Sequence, residues 1–107
     1  MNRIKTLLDF LDEDPRDPFV LYSLAQEYSS SGNLSESRKY YHLLRDVDAD
    51  YIGLFYHLGK LEESEENYEV AKRVYLDGIE IAGRIGDTHA QGELEGALAM
   101  LRMVLDE

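Results

Sequence analysis

Apolar residues recur along this chain at steps of three and four. Leu21, Leu24, Ala25 and Tyr28 stand at offsets 0, 3, 4 and 7, which places all four on one face of a helix. Leu34, Ser37, Tyr41, Leu44 and Val47 repeat the pattern after a break at Gly32-Asn33. The same reading along the chain predicts helices over Met1–Glu13, from Pro18 to about Ser30, from Leu34 to Asp46, over Tyr51–Ser64 and Tyr68–Gly83, and from Asp87 or Thr88 to about Leu105. In the first, Ile4, Leu7, Leu8 and Leu11 share a face; in the last, Ala90, Leu94, Ala97, Leu98, Leu101 and Leu105 do. The predicted core is Leu7, Leu11, Leu21, Leu24, Tyr28, Leu34, Tyr41, Leu44, Phe55, Leu58, Ala71, Tyr75, Ile79, Leu94 and Leu98.

The segments between helices carry the chemistry that ends and starts them. Asp17-Pro18 is a start signal: a carboxylate cap, then proline where its missing N–H costs nothing. Gly32 suits a left-handed helix stop. Asp46-Val47-Asp48-Ala49-Asp50 begins like a calcium loop, but Tyr51 and His57 stand where that loop needs Gly and Glu, so it reads as a turn with Asp50 capping the next helix. Glu62, Glu63, Glu65 and Glu66 are the densest acidic cluster and read as a solvated turn; a basic ligand is the alternative.

A shift of 34 residues superposes the chain on itself. Leu21 falls on Phe55, Tyr22 on Tyr56, Leu24 on Leu58, Ala25 on Gly59, Ser37 on Ala71 and Tyr41 on Tyr75. A fixed period of that length marks an array of stacked helix pairs. The slots resemble those of the tetratricopeptide repeat (TPR): a large apolar residue, Leu, a small residue and Tyr in the first helix, then a small residue and an aromatic in the second. Residues 17–50 fill them with Leu21, Leu24, Ala25, Tyr28, Ser37 and Tyr41. Residues 51–84 fill them with Phe55, Leu58, Gly59, Ala71 and Tyr75, with Glu62 in the place of the first Tyr. Pro15 falls in the terminal Pro slot, which makes 1–14 a half repeat ahead of the first; 87–106 is a third first-helix that caps the second. The resemblance implies one all-α domain over 1–107, a right-handed solenoid of about six helices.

Composition narrows the function. The charge is −11, from 22 acidic against 11 basic residues, so the chain lacks the basic footprint of nucleic-acid binding and would be repelled by an anionic membrane. There is no cysteine, which removes disulfides, thiolate metal sites and cysteine catalysis. Neither a leader-like segment nor the ~20 apolar residues of a membrane span is visible, and a cytoplasmic location is expected. The Asn33-Leu34-Ser35 sequon is then simply an inter-helix turn. His42, His57 and His89 share no metal-ligand spacing, and no phosphate loop or nucleophile motif is present, so no enzyme activity, metal or cofactor is expected.

What remains is a surface. The resemblance implies a protein-interaction scaffold whose first helices line a concave groove, with Tyr22 and Gln26 in one repeat and Tyr56 and Lys60 in the next facing a ligand, flanked by Ser29 and His57. Helical geometry agrees: Tyr22 and Gln26 lie together about 100° round from Leu21. The chaperone-tail clamp of some TPR proteins is not expected, because Tyr22, Gln26, His57, Asp87 and Gln91 stand where its Lys, Asn and Arg residues belong. The expected partner is a peptide or helix of another protein. The alternative is self-association through the terminal helices, hinted at by Met103 and Val104.

Overall fold

The side chains that flank each predicted helix set its ends. In a computed structural model describing residues 2–107, the helices are α1 (Arg3–Glu13), α2 (Pro18–Ser30), α3 (Leu34–Val47), α4 (Gly53–Ser64), α5 (Tyr68–Ile85) and α6 (Thr88–Val104), and the described residues contain no strand. Met1, expected within the first helix, lies outside the described residues. Asn2 caps α1, its Oδ1 accepting from the Ile4 N–H at 2.9 Å. Asp17 caps α2 as expected, accepting from Phe19 at 3.0 Å with Pro18 opening the helix. Asp87 caps α6 through the Ala90 N–H at 2.9 Å.

Two boundaries differ from expectation. Asp50 does not cap α4, which begins at Gly53 behind an Ile52 that offers no side-chain cap. Asp48 is the cause: its Oδ1 accepts from the Asp50 N–H at 3.2 Å and its carbonyl from the Tyr51 N–H at 3.1 Å, winding the chain into a turn before the helix starts. At the other end α5 passes through Gly83 to Ile85, because the first left-handed residue is Gly86, at φ 79°.

The turn inside each helix pair repeats with the 34-residue period. The Asn33 N–H reaches back to the Tyr28 carbonyl at 2.9 Å, and the Asn67 N–H to the Glu62 carbonyl at 2.8 Å. The residue before each asparagine is left-handed: Gly32 at φ 83° in the first turn, Glu66 at φ 61° in the second. Glycine takes that conformation without steric cost; Glu66 carries a Cβ in it.

The fold divides into two compact units, Met1–Tyr51 and Ile52–Glu107, at the junction between the two repeats read from the sequence. In the first unit α2 and α3 form the main pair and α1 packs on α2. Its core is Val20, Leu21, Leu24 and Ala25 with Tyr40, Tyr41, Leu44 and Leu7. Ser37 is fully buried and donates its hydroxyl to the Ala25 carbonyl at 2.7 Å, tying α3 to α2. In the second unit α5 packs between α4 and α6. Its core is Leu54, Phe55, Leu58 and Leu61, then Ala71, Val74, Tyr75 and Ala82, then Leu94, Ala97, Leu98 and Leu101.

Leu11, Tyr28, Leu34 and Ile79 are only partly buried, contrary to expectation. Leu11 and Leu34 lie at helix ends, and Tyr28 stacks on Tyr40 with ring centroids 5.6 Å apart. Glu62 also departs from expectation. It is 3% exposed rather than part of a solvated turn, and its Oε1 accepts from Asn67 Nδ2 at 3.0 Å. Glu63 is engaged as well, accepting from the hydroxyl of the buried Tyr75.

Candidate functional site

The residues expected to face a ligand fall on α2 in the first unit and on α4 in the second. Tyr22, Gln26 and Ser29 are all half-buried on α2. Tyr22 is not a projecting ring. It lies 5.1 Å from the Tyr51 ring, centroid to centroid, and edge-on to Tyr41 at 6.5 Å. Burial raises its pKa, and the neighbouring Gln26 amide pulls the other way. The Gln26 Nε2 atom is buried and makes no hydrogen bond of good geometry. An amide donor in that state favours any carbonyl brought to it. The Ser29 carbonyl accepts from the Gly32 N–H at 3.1 Å, so its backbone belongs to the turn. Tyr51 was not anticipated as a neighbour of Tyr22; it lies in an irregular turn that helical periodicity does not reach.

In the second unit Tyr56 and His57 meet edge-on, centroids 5.7 Å apart. Lys60 holds its ammonium 5.6 Å from the Tyr56 ring centroid and 3.7 Å from the Glu63 carboxylate. Together Tyr56 and Lys60 form one wall of an open groove of about 370 Å³, whose other wall is Gly92, Glu93, Gly96 and Met100 of α6. A second hollow of about 310 Å³ lies toward the N-terminal ends of α4 and α6, lined by Ile52, Gly53, His57, Asp87 and His89 among others. His57 is half-buried. Burial lowers its pKa, and Glu93 across the groove opposes that shift, so the imidazole is neutral at pH 7. His89 is exposed and pairs with Glu93 at 3.4 Å. The α6 wall was not among the residues expected to face a ligand, because α6 was read as a cap with one apolar face. Its glycine spacing was the available signal. Among the described residues no group of three His, Asp or Glu is arranged to hold a metal ion, and no helix is long and apolar enough to cross a membrane.

This constellation is a surface of aromatic, amide and ammonium groups carried by helix pairs, the construction of a helical-repeat protein. No protein-family model matches the sequence, and a search of curated proteins finds no match. Solved structures are similar. The tetratricopeptide repeat domain protein of Salinibacter ruber is 37% identical in its crystal structure, with 80% of this chain and 96% of that one covered and a TM-score of 0.76. Its solution structure gives a TM-score of 0.81 at 36% identity, covering 88% and 95% of the two chains. The TPR domain of Sgt2 from Aspergillus fumigatus is 25% identical, covers 97% of this chain and 66% of its own, and has a TM-score of 0.82. The first TPR of Spaghetti (RPAP3), solved with an HSP90 peptide bound, shares the fold at 17% identity and a TM-score of 0.82, covering 97% and 78%. The chain belongs to the tetratricopeptide repeat family.

Proposed function

We propose that this protein acts by binding rather than by catalysis, holding a peptide or helix of a partner protein. The carrying observation is the groove between α4 and α6. It is open, one wall is an aromatic ring with a cation beside it, and the other carries two glycines whose backbone a ligand can approach closely. Tyrosine supplies contact area at low entropic cost, and a cation of opposite sign to Glu93 fixes orientation. Tyr22, Gln26 and Ser29 form a second contact surface in the first unit, with the buried Gln26 Nε2 placed to meet a backbone carbonyl. The RPAP3 structure, in which a TPR holds a peptide, supports the reading at the level of fold.

The test uses two paired variants, Tyr22→Ala/Gln26→Ala and Tyr56→Ala/Lys60→Glu, each checked for helicity by circular dichroism. A protein captured from native lysate by wild type is identified, and its bound segment is synthesised and titrated. Each pair is expected to weaken that peptide by about tenfold, roughly 1.4 kcal/mol. Unchanged affinity in both variants would sink the reading.

A second reading is self-association through the terminal helices. It is favoured by the exposure of Met100, Met103 and Val104 at 63%, 74% and 58% on α6. Light scattering across a concentration series checks it, and a monomer throughout removes it.

A further inference from the structure

Helix α6 is apolar on two opposite sides. Leu94, Ala97, Leu98 and Leu101 are buried in the second unit. The outward side carries Gly92, Gly96, Ala99 and Met103, at steps of four, three and four, which 100° per residue gathers into one stripe with Met100 beside it. All five are exposed, and a Cβ built on either glycine meets nothing within 4 Å. The stripe itself carries no charge, where the outward side of a surface helix ordinarily does.

We infer that the cover is α6 of a second copy of this chain, lying antiparallel across the stripe; the inference rests on the self-association reading above. The stripe is complementary to itself under a two-fold axis at the level between Leu98 and Ala99. In that register Met103 falls level with the partner's Leu94, between the partner's Gly92 and the partner's Gly96, so a long flexible side chain enters a notch with no side chains of its own. Ala99 lies beside its own counterpart at the axis, where a small residue lets the helices close. The charges agree with the shapes. Glu95 and Arg102 stand two turns apart on one flank of the stripe, both exposed. A two-fold axis across an antiparallel pair brings like flanks together, and this register sets Glu95 level with the partner's Arg102, twice per dimer. Arg102 is available for it. Its present contact, with Glu107, is 3.8 Å long, while the Glu107 carboxylate is held by Lys72 at 2.8 Å. A parallel pair, or a head-to-tail contact with α1, makes neither match. Gly92, Gly96 and Met100 also wall the α4–α6 groove, so the second copy covers the mouth of the groove in the second unit.

Two experiments on the full chain test this. The protein has no cysteine, so Ala99→Cys introduces a single thiol, and Glu80→Cys on exposed α5 surface is the control. Under mild oxidation Ala99→Cys is expected to give a disulfide-linked dimer many times faster than the control. In sedimentation at rising concentration, Glu95→Arg and Arg102→Glu are each expected to lose the wild-type dimer, and the double charge swap to regain it. Wild type that stays monomeric at every concentration overturns the self-association reading and this inference together. A wild-type dimer without Ala99→Cys cross-linking, or without rescue by the swap, overturns the α6 register alone and leaves self-association standing.

Discussion

Gly59 has no room for a side chain. A Cβ there would lie 2.1 Å from Cε1 of Tyr75, and that ring is fully buried with its hydroxyl anchored on Glu63, so it has nowhere to swing. Gly59→Ala is expected to cost about 1–3 kcal/mol, read as a lower urea midpoint with little change in slope. The 34-residue shift that pairs Gly59 with Ala25 locates this small slot from sequence alone, but it cannot say that one copy admits a methyl and the other does not, because that depends on how far the Tyr75 ring reaches. Glu62 shows the same limit. Its place in an apolar slot was readable, whereas its burial rests on an amide donated by Asn67, five residues on. His57 gives a residue-scale prediction in pH. Burial depresses its pKa in the folded chain, so the unfolded chain takes up the proton first as pH falls through about 6.5. Stability is expected to fall as pH drops from 7 through 6 and to level off once the folded imidazole is protonated too. His57→Gln should flatten that slope in thermal melts.

At the scale of elements, all six helices were legible to within about two residues, because caps such as Asp17 and stops such as Gly32 act locally and their chemistry is written beside the helix they bound. The buried face of α6 was legible from its own spacing, which gathers Leu94, Ala97, Leu98 and Leu101, but not from the repeat period. A strict 34-residue period puts Gly92 in the slot of Leu58, yet the buried residue is Leu94, 36 residues on. The difference arises because α5 is 18 residues long against 14 for α3, and its stop is Gly86 rather than the Gly83 that the period suggested. Displaced by two, α6 buries leucines and turns its glycines outward. Those glycines weaken the helix without filling a packing need inside the unit. Gly92→Ala with Gly96→Ala is therefore expected to stabilise the folded chain by about 1 kcal/mol per site, seen as a raised melting temperature. Most stabilising glycine replacements are neutral elsewhere; this pair should also close the notch that receives Met103 and weaken the dimer.

On the scale of the whole molecule, charge opposes compactness. With 22 acidic and 11 basic residues the net charge is −11, and folding crowds that charge together. The compensating pairs are mostly short-range and exposed, such as Arg73–Asp77 at 3.1 Å and Lys5–Asp9 at 3.5 Å, and pairs of that kind contribute little. Added salt shortens the screening length from about 10 Å at 0.1 M to about 3 Å at 1 M. Melting temperature is accordingly expected to rise with sodium chloride; a fall would show that the local pairs outweigh the net repulsion.

The division at Tyr51 also has a consequence in time. Each unit is assembled from three helices that are consecutive in the chain, so its loops close over short distances. Chains with such local contacts fold in microseconds to milliseconds, far faster than a ribosome adds residues. The first unit has all its helices once residue 51 has emerged, while α4, α5 and α6 are still being made. The apolar faces of α2 and α3 thus need not wait, uncovered, for the C-terminal half of the protein to exist.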